Sequence, residues 1–116
     1  MPRVARNNTV SNEITTNNNY LENGVSISPV IPTVGEKVKI KYDGLLSKCG
    51  ATHVYAHVGY GSNWDNVYDY QMTKTGTGFE VSIPVSKPGT LNVCFKDCAN
   101  NWDNNSGKNY SFNVAR

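Results

Sequence analysis

The side chains with the most chemical promise are the two tryptophans, because of what surrounds them. Trp64 sits in Gly61-Ser62-Asn63-Trp64-Asp65-Asn66, and Trp102 in Asn100-Asn101-Trp102-Asp103-Asn104-Asn105. Both contexts are loop-forming and water-seeking. An indole kept in such a loop exposes a flat apolar ring at a cost in solvation, and loops on a rigid scaffold are where binding residues gather. Two such rings fringed by amides suit a ligand that is apolar on its face and polar at its edges, as a sugar ring is. Asn101, Asn104 and Asn105 supply amides that could meet hydroxyl groups. His57, seven residues before Trp64, adds an imidazole able to offer a flat face or a hydrogen bond. The same residues admit a plainer role. His57 could be a surface histidine with no task, and each indole could fold back to cap one end of a core.

Other chemistries find less support. Asp65, Asp97 and Asp103 are candidate acids, and a glycosidase needs two carboxyl groups set across one bond. Loops this short give no deep cleft, so no enzyme activity is expected. No D-x-D-x-D-G run marks a calcium loop, and no cluster marks a zinc site, so neither a metal nor a cofactor is expected. No Ser-His-Asp order, phosphate-cradling loop or nucleotide fingerprint occurs; Gly59-Tyr60-Gly61 reads as a turn element. Cys49, Cys94 and Cys98 cannot all pair within one chain. They read as three reduced thiols, with Cys49 to Cys98 the pairing to expect if a bridge forms.

The net charge is +2 over 116 residues. It is not concentrated in a basic stripe, so nucleic acid is not an expected partner. Lys37, Lys39 and Lys41 alternate with apolar residues and read as the solvated face of a strand. No apolar run is long enough to cross a bilayer, and no membrane partner is expected. Met1-Pro2-Arg3-Val4-Ala5-Arg6 lacks the apolar core of a signal peptide. The expectation is a cytoplasmic protein, or one exported as part of something larger.

The elements that must position these residues are strands. Residues 1–23 are rich in Asn and Thr and read as a tail or linker, with Tyr20 and Leu21 able to pin its end. From Val25 the pattern turns to period two, in Val38-Ile40-Tyr42, Val54-Ala56-Val58, Phe79-Val81-Ile83, Leu91-Val93-Phe95 and Tyr110-Phe112-Val114. Val25 and Ile27 open the series, and one further strand is expected over 68–73. Asp43-Gly44, the Gly-containing run 74–78 and Lys87-Pro88-Gly89 are turn signals. No stretch repeats with helical period over several turns. About seven short strands predict an all-β, immunoglobulin-like antiparallel sandwich over residues 24–116. In that topology the two tryptophan loops can lie on one side.

The combination Val54-Tyr55-Ala56-His57-Val58-Gly59-Tyr60, Asn63-Trp64, Met72, Gly78-Phe79, Phe95-Lys96-Asp97, Asn101-Trp102-Asp103-Asn104-Asn105 and Gly107-Lys108-Asn109-Tyr110 resembles the family 25 carbohydrate-binding modules. The similarity runs from about Val25 to Val114. It implies an immunoglobulin-like sandwich that binds starch, glycogen-type α-1,4-glucans and maltooligosaccharides without catalysis, commonly as an appendage of an amylase. One histidine and two tryptophans form the sugar platform in that family, and the matching positions are His57, Trp64 and Trp102. Asn104 and Asn105 match the amide-rich segment beside the second tryptophan. The partners expected are therefore an α-glucan and a linked amylase domain, with the protein itself a monomer. These 116 residues hold no catalytic domain, so the expectation is either a module that acts alone or one that belongs to a longer protein; the family pattern does not account for Cys98. A reading from another class stays open: a protein-interaction sandwich with exposed tryptophans as interface anchors.

Overall fold

A computed structural model describes residues 19–116. The part of the expected tail in residues 1–18 lies outside them. Among the described residues, nine strands form two antiparallel sheets. The first sheet runs β1 (Val25–Ser28), β2 (Lys37–Tyr42), β6 (Gly78–Pro84), β5 (Thr73–Thr75). The second runs β4 (Asp65–Gln71), β3 (Val54–Tyr60), β7 (Gly89–Asp97), with both β8 (Trp102–Asp103) and β9 (Tyr110–Val114) on the far side of β7. This is the strand order of an immunoglobulin-like sandwich with one added edge strand, β4.

Alternation builds the core. Strict alternation along β2 sends Val38, Ile40 and Tyr42 inward and the three lysines outward. Of the seventeen residues expected inside, all are buried except Val81, which is half-buried and packs against the core. Leu46, Tyr60, Met72 and Val85 complete the apolar interior. Tyr42 stacks on Phe95 at 4.1 Å between ring centres, and Phe95 meets Tyr110 at 5.7 Å. These contacts join the two sheets.

The strand count corrects the sequence expectation of about seven. The strand expected over 68–73 is two strands in different sheets, β4 beside β3 and β5 beside β6. Met72 lies at the crossing; it is buried and its N–H donates to the Val54 carbonyl. A local pattern cannot show a change of sheet, since alternation continues through it. Likewise, the position beside β7 is shared end to end by β8 and β9, separated by loop 104–109. A single helical turn, α1 (Leu45–Lys48), also went unforeseen. Four residues carry no period to detect, and only Leu46 is buried.

Ahead of β1, Tyr20 and a short 3₁₀ turn (Leu21–Asn23) lie on the sandwich. The Tyr20 ring meets Tyr110 and Phe112 edge-on, and its hydroxyl donates to the Ser111 carbonyl and accepts from the Ser111 N–H. Leu21 remains exposed. Gly24 permits this approach. Its φ is +76°, and a Cβ there would lie 2.2 Å from the Asp43 carbonyl oxygen.

Candidate functional site

The outward face of the second sheet brings His57, Trp64 and Trp102 together. His57 is an outward residue of β3, paired across the ladder with Asp69 on β4 and Cys94 on β7. Its ring centre lies 5.5 Å from that of Trp64, with the planes 33° apart, and 5.3 Å from that of Trp102, with the planes perpendicular. Trp102 is 44% exposed and Trp64 is half-buried, so neither indole lies in the core. The end-capping role considered for them does not hold.

Trp64 is placed by a tight turn between β3 and β4. Its φ is +54°, a left-handed conformation uncommon outside glycine. The Gly61 carbonyl accepts from the Trp64 N–H and from the Asn92 side chain at 2.7 Å, while the Gly61 N–H donates to Thr90. Asn92 is buried and is itself held by the Ser111 hydroxyl. Gly59 supplies the space: a Cβ there would lie 2.6 Å from Trp64 Cε3. The indole thus rests on bare backbone.

Trp102 is placed differently. It opens β8, paired with Lys96, and alternation sends Trp102 out and Asp103 in. Asp103 is buried, accepting from the Tyr42 hydroxyl at 2.6 Å and the Tyr110 hydroxyl at 2.9 Å. Burial first, then the bond to Asp103, pushes both phenols well above their ordinary range. Tyr42 also accepts from the Leu46 N–H, tying α1 to the same carboxylate. Asp103 thereby anchors β8 to the interior. Asp97 holds the loop before Trp102. Its carboxylate accepts from the Ala99 and Asn101 N–H groups and from the Asn101 side chain. Those bonds, the Asn101 side chain foremost, hold its pKa below the usual carboxylate range. Asp65 begins β4 and is exposed.

The asparagines anticipated as sugar contacts divide around Trp102. Asn104 and Asn105 line an open depression of about 470 Å³ on one side with Leu45 and Lys48. Asn101 lines another of about 530 Å³ with Cys49, Cys98 and Ala51. Trp102 is a wall of both. Each asparagine spends part of its amide on its own loop: Asn101 on Asp97, Asn104 on the Gly107 N–H, and Asn105 on the Asn109 carbonyl.

A charge network beneath the rings escaped the sequence reading. Asp69 Oδ1 lies 2.5 Å from His57 Nδ1, and Asp69 Oδ2 lies 2.9 Å from Lys96 Nζ. Burial pushes the Asp69 carboxyl up, but the hydrogen bonds from Lys96 and His57 outweigh it and leave the group below its ordinary range. Lys96 also lies 5.4 Å from the centre of the Trp102 ring. With Nδ1 facing Asp69, His57 Nε2 remains as its second polar atom. The only sequence signal for Asp69 was its outward position beside His57, and that required knowing the register. Cys94 lies below this cluster, its thiol pushed up to about 11 by burial and then by the nearby Asp69 and Asp103 charges. It is inert at neutral pH. All three cysteines are unbridged. Among the described residues, no three His, Cys, Asp or Glu side chains gather to hold a metal ion.

Comparison with known proteins gives this geometry a context. A starch/carbohydrate-binding module, family 53, matches residues 38–93. The model that matches is of family 53, where family 25 was expected; the broader likeness to a starch-binding module stands. The matched residues include His57 and Trp64 and end before Trp102. An alpha-amylase of Clostridium acetobutylicum is 29% identical over 104 residues, covering 83% of this chain. The chain spans only 13% of that amylase's length. No solved structure matches the chain. The chain is therefore similar, through its central strands, to a starch-binding module and, over most of its length, to a small part of an amylase.

Proposed function

We propose that this protein is a non-catalytic module that binds starch- or glycogen-type α-1,4-glucans on the outward face of its second sheet. The observation that carries this reading is the imidazole of His57 in ring contact with two indoles at different tilts. An α-1,4-glucan coils, so neighbouring glucose rings present their C–H faces at an angle. Planes that are not parallel suit a coiled chain better than a flat β-1,4-glucan, and geometry alone then discriminates. His57 Nε2 and the amides of Asn101, Asn104 and Asn105 take the hydroxyl edges. Stacking on each aromatic ring contributes ~1–3 kcal/mol by analogy with bases on aromatic side chains. A shallow site of this kind binds with Kd of ~10 μM to 1 mM, roughly 4–7 kcal/mol.

The sandwich of residues 24–116 is the binding unit, acting as a monomer. Its partner within a longer polypeptide is an amylase catalytic domain, whose substrate it holds close. The likeness to a segment of an amylase supports this. Trp64→Ala and Trp102→Ala test the reading. Each is expected to lose retention on insoluble starch while its far-ultraviolet circular dichroism stays that of the parent. Retention by both variants would overturn it, as would equal affinity for cello- and maltooligosaccharides.

A further inference from the structure

We infer that the binding face continues past Trp102, through Lys96, into an adjoining depression that holds further glucose units of a longer chain. This rests on the α-glucan reading above and extends it to chain length. Tyr55 lies two residues before His57 on β3 and therefore on the same outward face. It pairs across the sheet with Lys96 on β7 and Gln71 on β4. Lys96 Nζ lies 6.0 Å from the Tyr55 ring centre and 5.4 Å from that of Trp102. One ammonium thus bridges the last ring of the first cluster and the first ring of the next.

Lys96, Asp69 and Asp97 wall an open depression of about 620 Å³. Tyr55, Tyr68, Tyr70, Gln71 and Asn100 are among its walls. The mixture repeats the chemistry around Trp64 and Trp102: aromatic faces with amides at their edges. Tyr68 and Tyr70 lie 4.6 Å apart with planes tilted by 54°. Tyr70 packs partly on the core, but Tyr68 is 60% exposed. Neutral occupants are favoured, because the Lys96 charge is already met by Asp69 at 2.9 Å and the Asp97 carboxylate by the Ala99 and Asn101 N–H groups and the Asn101 side chain. Tyr55, Gln71 and Lys96 share the outward face with His57, whereas Tyr68 and Tyr70, paired with the inward Val58 and Ala56, belong to the other face of edge strand β4. A polyhydroxyl chain leaving the first cluster along the outward face reaches them over the edge of the sheet.

Titration calorimetry with maltotriose and maltoheptaose separates the two parts of the face. The parent protein is expected to bind maltoheptaose more tightly than maltotriose. Tyr55→Ala is expected to weaken maltoheptaose about tenfold and leave maltotriose unchanged. Should Tyr55→Ala fail to fold, Tyr68→Ala supplies the same readings from a side chain that is mostly in solvent. Unchanged maltoheptaose affinity in the folded variant, or equal loss for both sugars, would overturn the extension alone. Failure of the parent protein to bind either sugar would instead sink the α-glucan reading and the extension with it.

Discussion

The two tryptophans reach one face by opposite means. Trp64 is held by backbone: a left-handed turn, a bare glycine under the ring, and Asn92 gripping the Gly61 carbonyl. Trp102 is held by a two-residue strand whose other member, Asp103, is driven into the interior and bonded by two tyrosines. The first arrangement depends on empty space, the second on a buried charge. A platform of the first kind is sensitive to added volume, and one of the second kind to lost hydrogen bonds.

The largest expected effect separates them most sharply. Asp103→Ala leaves the Tyr42 and Tyr110 hydroxyls without their shared acceptor, at a cost of about 3–5 kcal/mol. Urea unfolding would measure it. A loss below about 1 kcal/mol would show that the buried carboxylate anchors little. Next comes Gly59→Ala, which forces the Trp64 ring away from β3. It is expected to cost about 1–3 kcal/mol and to weaken maltooligosaccharide binding. Quenching by acrylamide should show Trp64 more accessible, with Trp102 unchanged. If binding and quenching both match the parent, the close packing at Gly59 does not set the platform.

The smallest effect lies in the network common to both halves. Asp69 is held below its usual range, so its contribution to stability is fully present above the unfolded carboxylate range of about 4. It is lost as pH falls through the lowered folded value. Thermal unfolding of the parent and Asp69→Asn should therefore differ near neutral pH and converge in acid. A difference that persists unchanged into strong acid would sink this account. The group is more than a third exposed, so solvent screening keeps the effect small.

Much of this was readable from residues alone. Alternation over Val38 to Tyr42, Val54 to Val58 and Leu91 to Phe95 fixes which side chains face inward, and the structure agrees. His57, Trp64 and Trp102 were named from type and local surroundings, and the fold brings them within ring contact. Asp103 was weighed as a candidate acid and set aside; its inward, anchoring place was not foreseen, because a two-residue strand has too little alternation to reveal its direction. Asp69, Asn92 and Lys96 were not singled out. Their roles arise from cross-strand register, which joins residues far apart in the chain.

Side-chain type and period two therefore determined the sandwich, its interior and the three rings, since burial of apolar faces acts on every strand locally. Tertiary structure alone decided where Met72 passes the chain between sheets, which way Asp103 points, and how Asp69 links His57 to Lys96. Each of those depends on which strands become neighbours, and neighbours are chosen by the packing of the whole domain.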